Sequence, residues 1–236
     1  MPEPGALEVK DLHAWYGESH VLHGVSLEVR AGETVALLGR NGAGKTTTLK
    51  SIMGMVERKG SVKFEGKELA GSPPEAVARA GIAICPEERG IFASLSVEEN
   101  LVLPPVVRPG GFTVEALFEL FPNLKERLKS PGTKLSGGEQ QMLAIARILR
   151  TGARFLLLDE PNEGLAPVIV EQIRKTIERL KRDGFTIVLV EQNLRFAAAV
   201  ADRHYVIERG QVVDQLTAAE LAQAQGMERV RSYLGV

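Results

Sequence analysis

Gly39-Arg40-Asn41-Gly42-Ala43-Gly44-Lys45-Thr46 follows the apolar run Thr34-Val35-Ala36-Leu37-Leu38 and leads into a helix-forming stretch. The spelling is G-x-x-x-x-G-K-[ST], in the strand–loop–helix setting that this motif requires. Its glycines let successive backbone N–H groups point inward around a phosphate. The helix that follows aims the positive end of its dipole at the same anion. Lys45 is expected to reach the outer phosphates of a nucleotide, and the Thr46 hydroxyl to bind Mg²⁺. The backbone from Gly39 to Thr47 is expected to form the cradle.

Around this loop the chain reads as alternating strands and helices. Leu7 and Val9, then Val25, Leu27 and Val29, alternate with polar residues, as in half-buried strands. Thr46 to Met55 reads as one helix, residues 60–66 as a short strand, and Ser72-Pro73-Pro74 as the start of a helix that stops at Gly81. Ile82 to Cys85, Phe155 to Asp159 and Thr186 to Val190 are short apolar runs of the kind found in doubly covered strands. Between the last two, Val170, Ile173, Ile177 and Leu180 line one helix face. Strand–helix–strand order implies a parallel sheet. Ser96-x-x-Glu99 opens a helix with a capping box. Residues 115–129 and 138–150 carry helical periodicity, so 89–151 reads as a helical subdomain inserted between core segments 7–88 and 152–236. A hairpin is expected around Arg209-Gly210, and one closing helix from Thr217-x-x-Glu220.

The 236 residues are 44% hydrophobic and 25% charged, ordinary values for a globular protein long enough to bury a sizeable core. Lys plus Arg is 29 against Asp plus Glu 30, a net charge of −1, which supplies no electrostatic reason to expect a nucleic-acid partner. Cys85 is the single cysteine, so no intramolecular disulfide can form, which suits a reducing compartment. It sits in an apolar run and reads as a small buried hydrophobe. The first residues, MPEPGALEVKD, lack the blocks of a signal peptide, and no apolar run approaches the roughly 20 residues of a membrane span. The expectation is therefore a soluble chain.

Two further stretches carry chemistry. Phe155-Leu156-Leu157-Leu158 ends in Asp159-Glu160, two acids at the mouth of a buried strand. Beside a triphosphate, Asp159 is expected to hold Mg²⁺ through water, and Glu160 to polarise the attacking water. Leu135-Ser136-Gly137-Gly138-Glu139-Gln140 precedes a helix, with Ser136 as a good N-cap. It makes a second helix N-terminus able to receive an anion in a chain that already has one. Two such elements far apart in sequence suit a nucleotide gripped from both sides.

With these motifs in this order, nearly the whole chain, residues 7–235, resembles the nucleotide-binding subunits of ABC transporters. The strings CPEERGIFASLSVEENL, LSGGEQQMLAIARIL, DEPNEGLAP and VEQN are similar to those of the smaller ATPase of branched-chain or neutral amino-acid importers, with relatives among urea and short-amide importers. The resemblance implies a P-loop NTPase core of α/β class with a mostly parallel sheet, an N-terminal antiparallel β subdomain and an inserted α-helical subdomain. It implies ATP and Mg²⁺ as cofactors, and a head-to-tail dimer with an identical or different second ATPase subunit. In that dimer Ser136, Gly137, Gly138 and Glu139 of one copy cap the ATP of the other. Tyr16 would stack on adenine, with its neighbour Trp15 read as core, and residues 162–166 would cross the interface. Transmembrane permease subunits would hold the chain at the cytoplasmic face of the cell membrane, with a solute-binding protein acting indirectly. Ile91, Phe92, Leu95 and Val97, near 86–104, are candidates for the docking groove.

Three positions depart from the commonest family pattern. Glu87 stands where a glutamine usually approaches Mg²⁺ and the attacking water. Gln192 stands where most relatives have histidine. An amide can donate a hydrogen bond but cannot exchange a proton near neutral pH, so Glu160 remains the basic group. Ala166 replaces a frequent aspartate in the interface loop. His13, His20, His23 and His204 lack metal-ligand spacing and read as surface or strand-end residues. Chromosome-organising and repair ATPases share the motifs. They insert a long coiled coil between phosphate loop and signature, and no sustained heptads occur here.

Overall fold

The computed structural model describes residues 6–235, so Met1 to Gly5, part of the segment read for a targeting signal, lies outside the described residues. The run before the phosphate loop is strand β3 (Thr34–Leu38), and every residue in it is buried. It pairs in parallel with β8 (Thr186–Glu191) on one side and β9 (Arg203–Glu208) on the other. β8 continues to β7 (Phe155–Asp159), and β7 to β6 (Ile82–Cys85), again in parallel. β10 (Gln211–Thr217) closes one edge antiparallel to β9, across the Arg209-Gly210 turn. A strand covered on both faces has no solvent side, which is why β3, β7 and β8 read as unbroken apolar runs.

Each face of this sheet has its own cover. On one lies an antiparallel sheet in the order β2 (Ser19–Val29), β1 (Leu7–Tyr16), β4 (Glu57–Phe64), β5 (Lys67–Glu68). Its inward residues Leu7, Val9, Leu12 and Val62 join Val35, Leu37, Leu157 and Val188 in one core, together with Leu49 and Ile52 of α1 (Lys45–Ile52). Phe64 meets Phe155 edge to face at 5.3 Å. Neighbouring residues of the same strands, Leu156, Leu158, Ile187 and Leu189, point the other way. They pack on α3 (Val97–Val102), α4 (Val114–Leu120), α5 (Pro122–Glu126), α6 (Gly137–Arg150) and α7 (Pro167–Arg182). A third cluster joins Ala36, Leu38 and Val206 to α8 (Leu194–Val200), α9 (Ala218–Leu221) and α10 (Ala224–Leu234). The period-2 alternation of a strand thus assigns consecutive residues to separate cores.

Several local expectations are corrected. The helix read over Thr46–Met55 runs Lys45–Ile52, because Gly54 takes a left-handed φ of 76° that ends it. The single helix over 115–129 is two, α4 and α5, since Pro122 keeps Phe121 out of helical geometry. The closing helix is also two. They approach so closely that a Cβ on Gly226 would lie 2.1 Å from the Glu220 carbonyl oxygen. His204 is fully buried rather than on the surface, because α8 covers its face of β9 and the Ala197 carbonyl lies 3.4 Å from its ring. Trp15 is half-buried rather than core. Its ring stacks on His20 at 4.5 Å and Lys59 lies over it. Val97 is fully buried within the helical layer, while Phe92 is exposed under the Arg147 guanidinium.

Leu157 is fully buried where β7 meets the antiparallel layer. Leu157→Ala is expected to lower the unfolding free energy by about 2–5 kcal/mol, measured by urea denaturation followed by circular dichroism.

Candidate active site

The phosphate loop is locked by backbone approaches that exclude side chains. Gly44 has φ 107°, and a Cβ there would lie 2.8 Å from the Leu22 side chain. A Cβ on Gly39 would lie 2.4 Å from the Ile207 carbonyl oxygen. The Gly210 N–H donates to the Ala43 carbonyl at 2.8 Å, pinning the loop to the β9–β10 turn. Between loop and sheet edge lies a cleft of about 300 Å³, walled by Asn41 to Thr47 and by Glu87, Glu160 and Glu163. Tyr16 does not wall it; its ring, 46% exposed, stands at the end of β1. Arg40 lends the loop its backbone, and its guanidinium turns to the other side, against Gly235.

Lys45, only 4% exposed, donates to the Gly39 carbonyl at 2.8 Å and the Arg40 carbonyl at 3.2 Å, and faces a Glu160 carboxylate oxygen at 3.3 Å. The other Glu160 oxygen accepts from the Gln192 amide at 2.7 Å. Glu160 follows the last residue of β7 with φ 44°, in the left-handed region. That conformation is strained for a side chain with a Cβ, and such strain gathers at functional positions. Asp159 accepts from the Thr46 hydroxyl at 3.0 Å. Burial pushes the Asp159 carboxyl up to about 6, the Thr46 bond opposes this, and Glu160 and Glu87 add to it. A hydrogen bond to Glu160 raises the Glu163 carboxyl, followed by burial. Glu191, at the end of β8, is pushed up to about 8, chiefly by burial. Elsewhere burial pushes the Cys85 thiol up to about 12, so it is no nucleophile near neutral pH.

The signature lies at the N-terminus of α6, and none of its residues walls this cleft. Ser136 and Glu139 complete a capping box, with the Ser136 N–H donating to Glu139 at 2.8 Å and the Glu139 N–H to the Ser136 hydroxyl at 3.3 Å. Arg127 adds an ion pair to Glu139 at 3.3 Å. The Glu139 carboxylate is therefore engaged by its own helix. Gly138 is required for packing, since a Cβ there would lie 2.9 Å from Ile169. Gly137 is the open position of the turn. Beside it stands Arg89, to which the sequence reading gave no role: its backbone is left-handed and its guanidinium donates to Gln140 at 3.2 Å.

The residues present fit a nucleotide with a hard cation. The glycine loop and Lys45 line the same cleft, which leaves room for phosphate. Thr46 and Asp159 offer a hydroxyl and a carboxylate, the oxygen donors that Mg²⁺ selects. Among the described residues, no group of three or more His, Cys, Asp or Glu side chains could hold a metal ion. An ion here would complete its shell with nucleotide oxygens and water.

Comparison with known proteins agrees with this geometry. The profile described as ABC transporter matches residues 22–163. The high-affinity branched-chain amino acid transport ATP-binding protein BraG of Pseudomonas aeruginosa is 45% identical, covering 91% of this chain and 94% of its own. The lipopolysaccharide export system ATP-binding protein LptB of Escherichia coli is 36% identical, covering 97% of each chain. A solved structure of the ATP-binding subunit of an ABC transporter superposes with a TM-score of 0.81 at 30% identity, covering 98% of this chain and 100% of that one.

The site's burial has a measurable consequence. Unfolded, Glu191 titrates near 4.5; folded, near about 8. Between those values the folded chain holds the extra proton, so stability falls as pH rises, by at most about 1.4 kcal/mol per unit for this group. Urea unfolding at pH 6, 7 and 8 is expected to show that decline, and Glu191→Gln to flatten it.

Proposed function

The chain belongs to the ABC transporter family, as an ATPase whose hydrolysis is coupled to transport, and on that premise we propose that it energises uptake of branched-chain or other neutral amino acids. What carries this reading is the identity to BraG, 45% over 91% of the chain, against 36% to the lipopolysaccharide exporter subunit. The importer-like strings around Glu87, the signature, Asn162 and Gln192 support it. A second reading, an export motor, keeps its footing in the LptB match over 97% of both chains. Reconstituting the chain with its permeases in vesicles and following radiolabelled leucine separates the two. Inward accumulation that depends on a solute-binding protein supports import, and its absence overturns it.

In the proposed mechanism the loop backbone from Gly39 to Thr47 and Lys45 bind the phosphates. Thr46 and Asp159 would hold Mg²⁺, with Glu87 at the cleft mouth as a third oxygen donor. The bound cation would offset phosphate charge. Glu160 acts as the base that orients and polarises water, held between Lys45 and Gln192. Gln192 orients this carboxylate but transfers no proton. The signature turn, with Ser136, Gly137 and the backbone at Gly138, takes the nucleotide of an opposing copy, and Tyr16 takes the adenine. Glu139 contributes as the cap that fixes this turn. The division into a core of about 7–88 and 152–236 and a helical subdomain of about 89–151 is part of the same reading.

Among the described residues, no helix is long and apolar enough to cross a membrane. The proposed seat is the cytoplasmic face of the membrane, on permease subunits. A groove walled by Ile84, Pro104, Pro105 and Val107 is the proposed docking surface, and the adjoining stretch of chain exposes Phe92, Val102, Leu103 and Val106. Of the other docking candidates, Ile91 and Leu95 are half-buried, whereas Val97 belongs to the core.

Removing the basic oxygen is expected to separate binding from chemistry. Glu160→Gln should lower the ATP turnover rate by about 100-fold or more while retaining nucleotide, measured by phosphate release and by filter binding. Parental turnover in that variant would dismiss the assignment of Glu160.

A further inference from the structure

Glu191 is a buried acid to which the mechanism above gives no part. It is 1% exposed at the end of a strand whose other residues are Thr186, Ile187, Val188, Leu189 and Val190. A carboxyl group is costly to bury unless its oxygens are engaged. One oxygen accepts from the Asn193 backbone N–H at 3.3 Å. The other is buried without a hydrogen-bond partner, and so is the side-chain nitrogen of Asn162. The Asn162 amide is among the groups that lower the Glu191 pKa, so this donor and this acceptor share one pocket.

The two residues that meet here belong to the two loops of the reaction. Asn162 lies two positions after Glu160, in the loop leaving β7. Asn193 follows Gln192 and caps α8 by accepting from the Phe196 N–H. Above the pocket, Gln192 donates to Glu160 at 2.7 Å. Glu191 therefore underlies both ends of the bond that orients the proposed base. We propose that Glu191 is a positioning residue: its carboxyl ties the Asn162 loop to the Asn193 turn and so sets the register between Glu160 and Gln192. The inference rests on the assignment of Glu160 as the base.

The neighbours of the carboxyl are few. β3 presents Leu38 as its parallel partner, β7 leads to the Glu160 carboxylate, and α8 presents the Asn193 N–H. Glu160 is the charged group acting on it. While protonated, the Glu191 carboxyl has the shape and polarity of an amide. Once ionised, it stands as a buried anion close to Glu160 and pushes that loop away.

The experiment uses the full chain and measures steady-state ATP hydrolysis from pH 6.5 to 9. Glu191→Val should lower kcat at least about tenfold with KM for ATP within about twofold, because misplacing a catalytic group by an ångström has effects of this order. Glu191→Gln should rescue most of the lost rate at pH 7. The parental rate is expected to fall above about pH 8 and Glu191→Gln to abolish that fall; a parent without it also overturns the inference. A Glu191→Val variant at the parental rate, or a Glu191→Gln variant that keeps the parental alkaline fall, overturns the inference. If Glu191→Val does not fold, the pH profile of Glu191→Gln decides alone. Glu160→Gln is run alongside: parental turnover there removes the base assignment, whereas a Glu160→Gln variant that has lost turnover beside an unaffected Glu191→Val removes only the role of Glu191.

Discussion

A nearly buried ammonium faces a nearly buried carboxylate at the mouth of this sheet. Lys45 and Glu160 stand 3.3 Å apart, with side chains 4% and 9% exposed. Neither charge would be stable there alone, because desolvation of an unpaired ion in such a place amounts to several kcal/mol. The site depends on this mutual neutralisation. Lys45 is further bound by two loop carbonyls, and Glu160 by the Gln192 amide. A phosphate entering the cleft competes with Glu160 for the ammonium. In the proposed mechanism, nucleotide binding would thereby be linked to release of the proposed base, Glu160.

The sheet makes that arrangement possible. β3 delivers the phosphate loop, β7 delivers Asp159 and Glu160, and β8 delivers Glu191 and Gln192. All three end at the same edge because they run parallel. Ligands gather outside the carboxyl ends of parallel strands for this reason. Alternating side chains fasten β7 and β8 each to two layers at once, which holds the strand ends that carry these residues. The buried acids at those ends, Asp159 and Glu191, bear raised pKa values chiefly because burial disfavours their charged forms, and Glu160 adds to both. Burial that holds the strands in place also tunes the groups at their tips.

Much of this was legible along the chain. The phosphate loop, the apolar runs of β3, β7 and β8, and the capping boxes at Ser96, Ser136 and Thr217 carry local signals, and the structure places each where local physics requires. Less was legible where a residue's setting comes from distant elements. His204 looked like a surface or strand-end residue; it stands near the start of β9, and the packing of α8 on that strand buries it. Trp15 looked like core, and the outer face of β1 leaves it stacked on His20. Val97 looked like a docking residue, and the helical layer encloses it. Arg89 and Glu191 lie within the strings CPEERGIFASLSVEENL and VEQN but were given no role, because their partners Gln140 and Asn162 are distant in sequence.

What the sequence by itself determined is the chemistry available: a loop that cradles phosphate, an acid pair after a buried strand, a second helix N-terminus, and the family these motifs compose. Their spacing and residue types are enough, because turn geometry, capping and strand burial act over a few residues. Only the tertiary structure decided which groups face each other. The pairing of Lys45 with Glu160, the bond from Gln192 to Glu160, the engagement of Glu139 by its own cap and the pocket shared by Glu191 and Asn162 arise across strands or turns. Such contacts depend on register and on which face of the sheet a side chain takes. A single chain's local pattern cannot specify them before the layers pack.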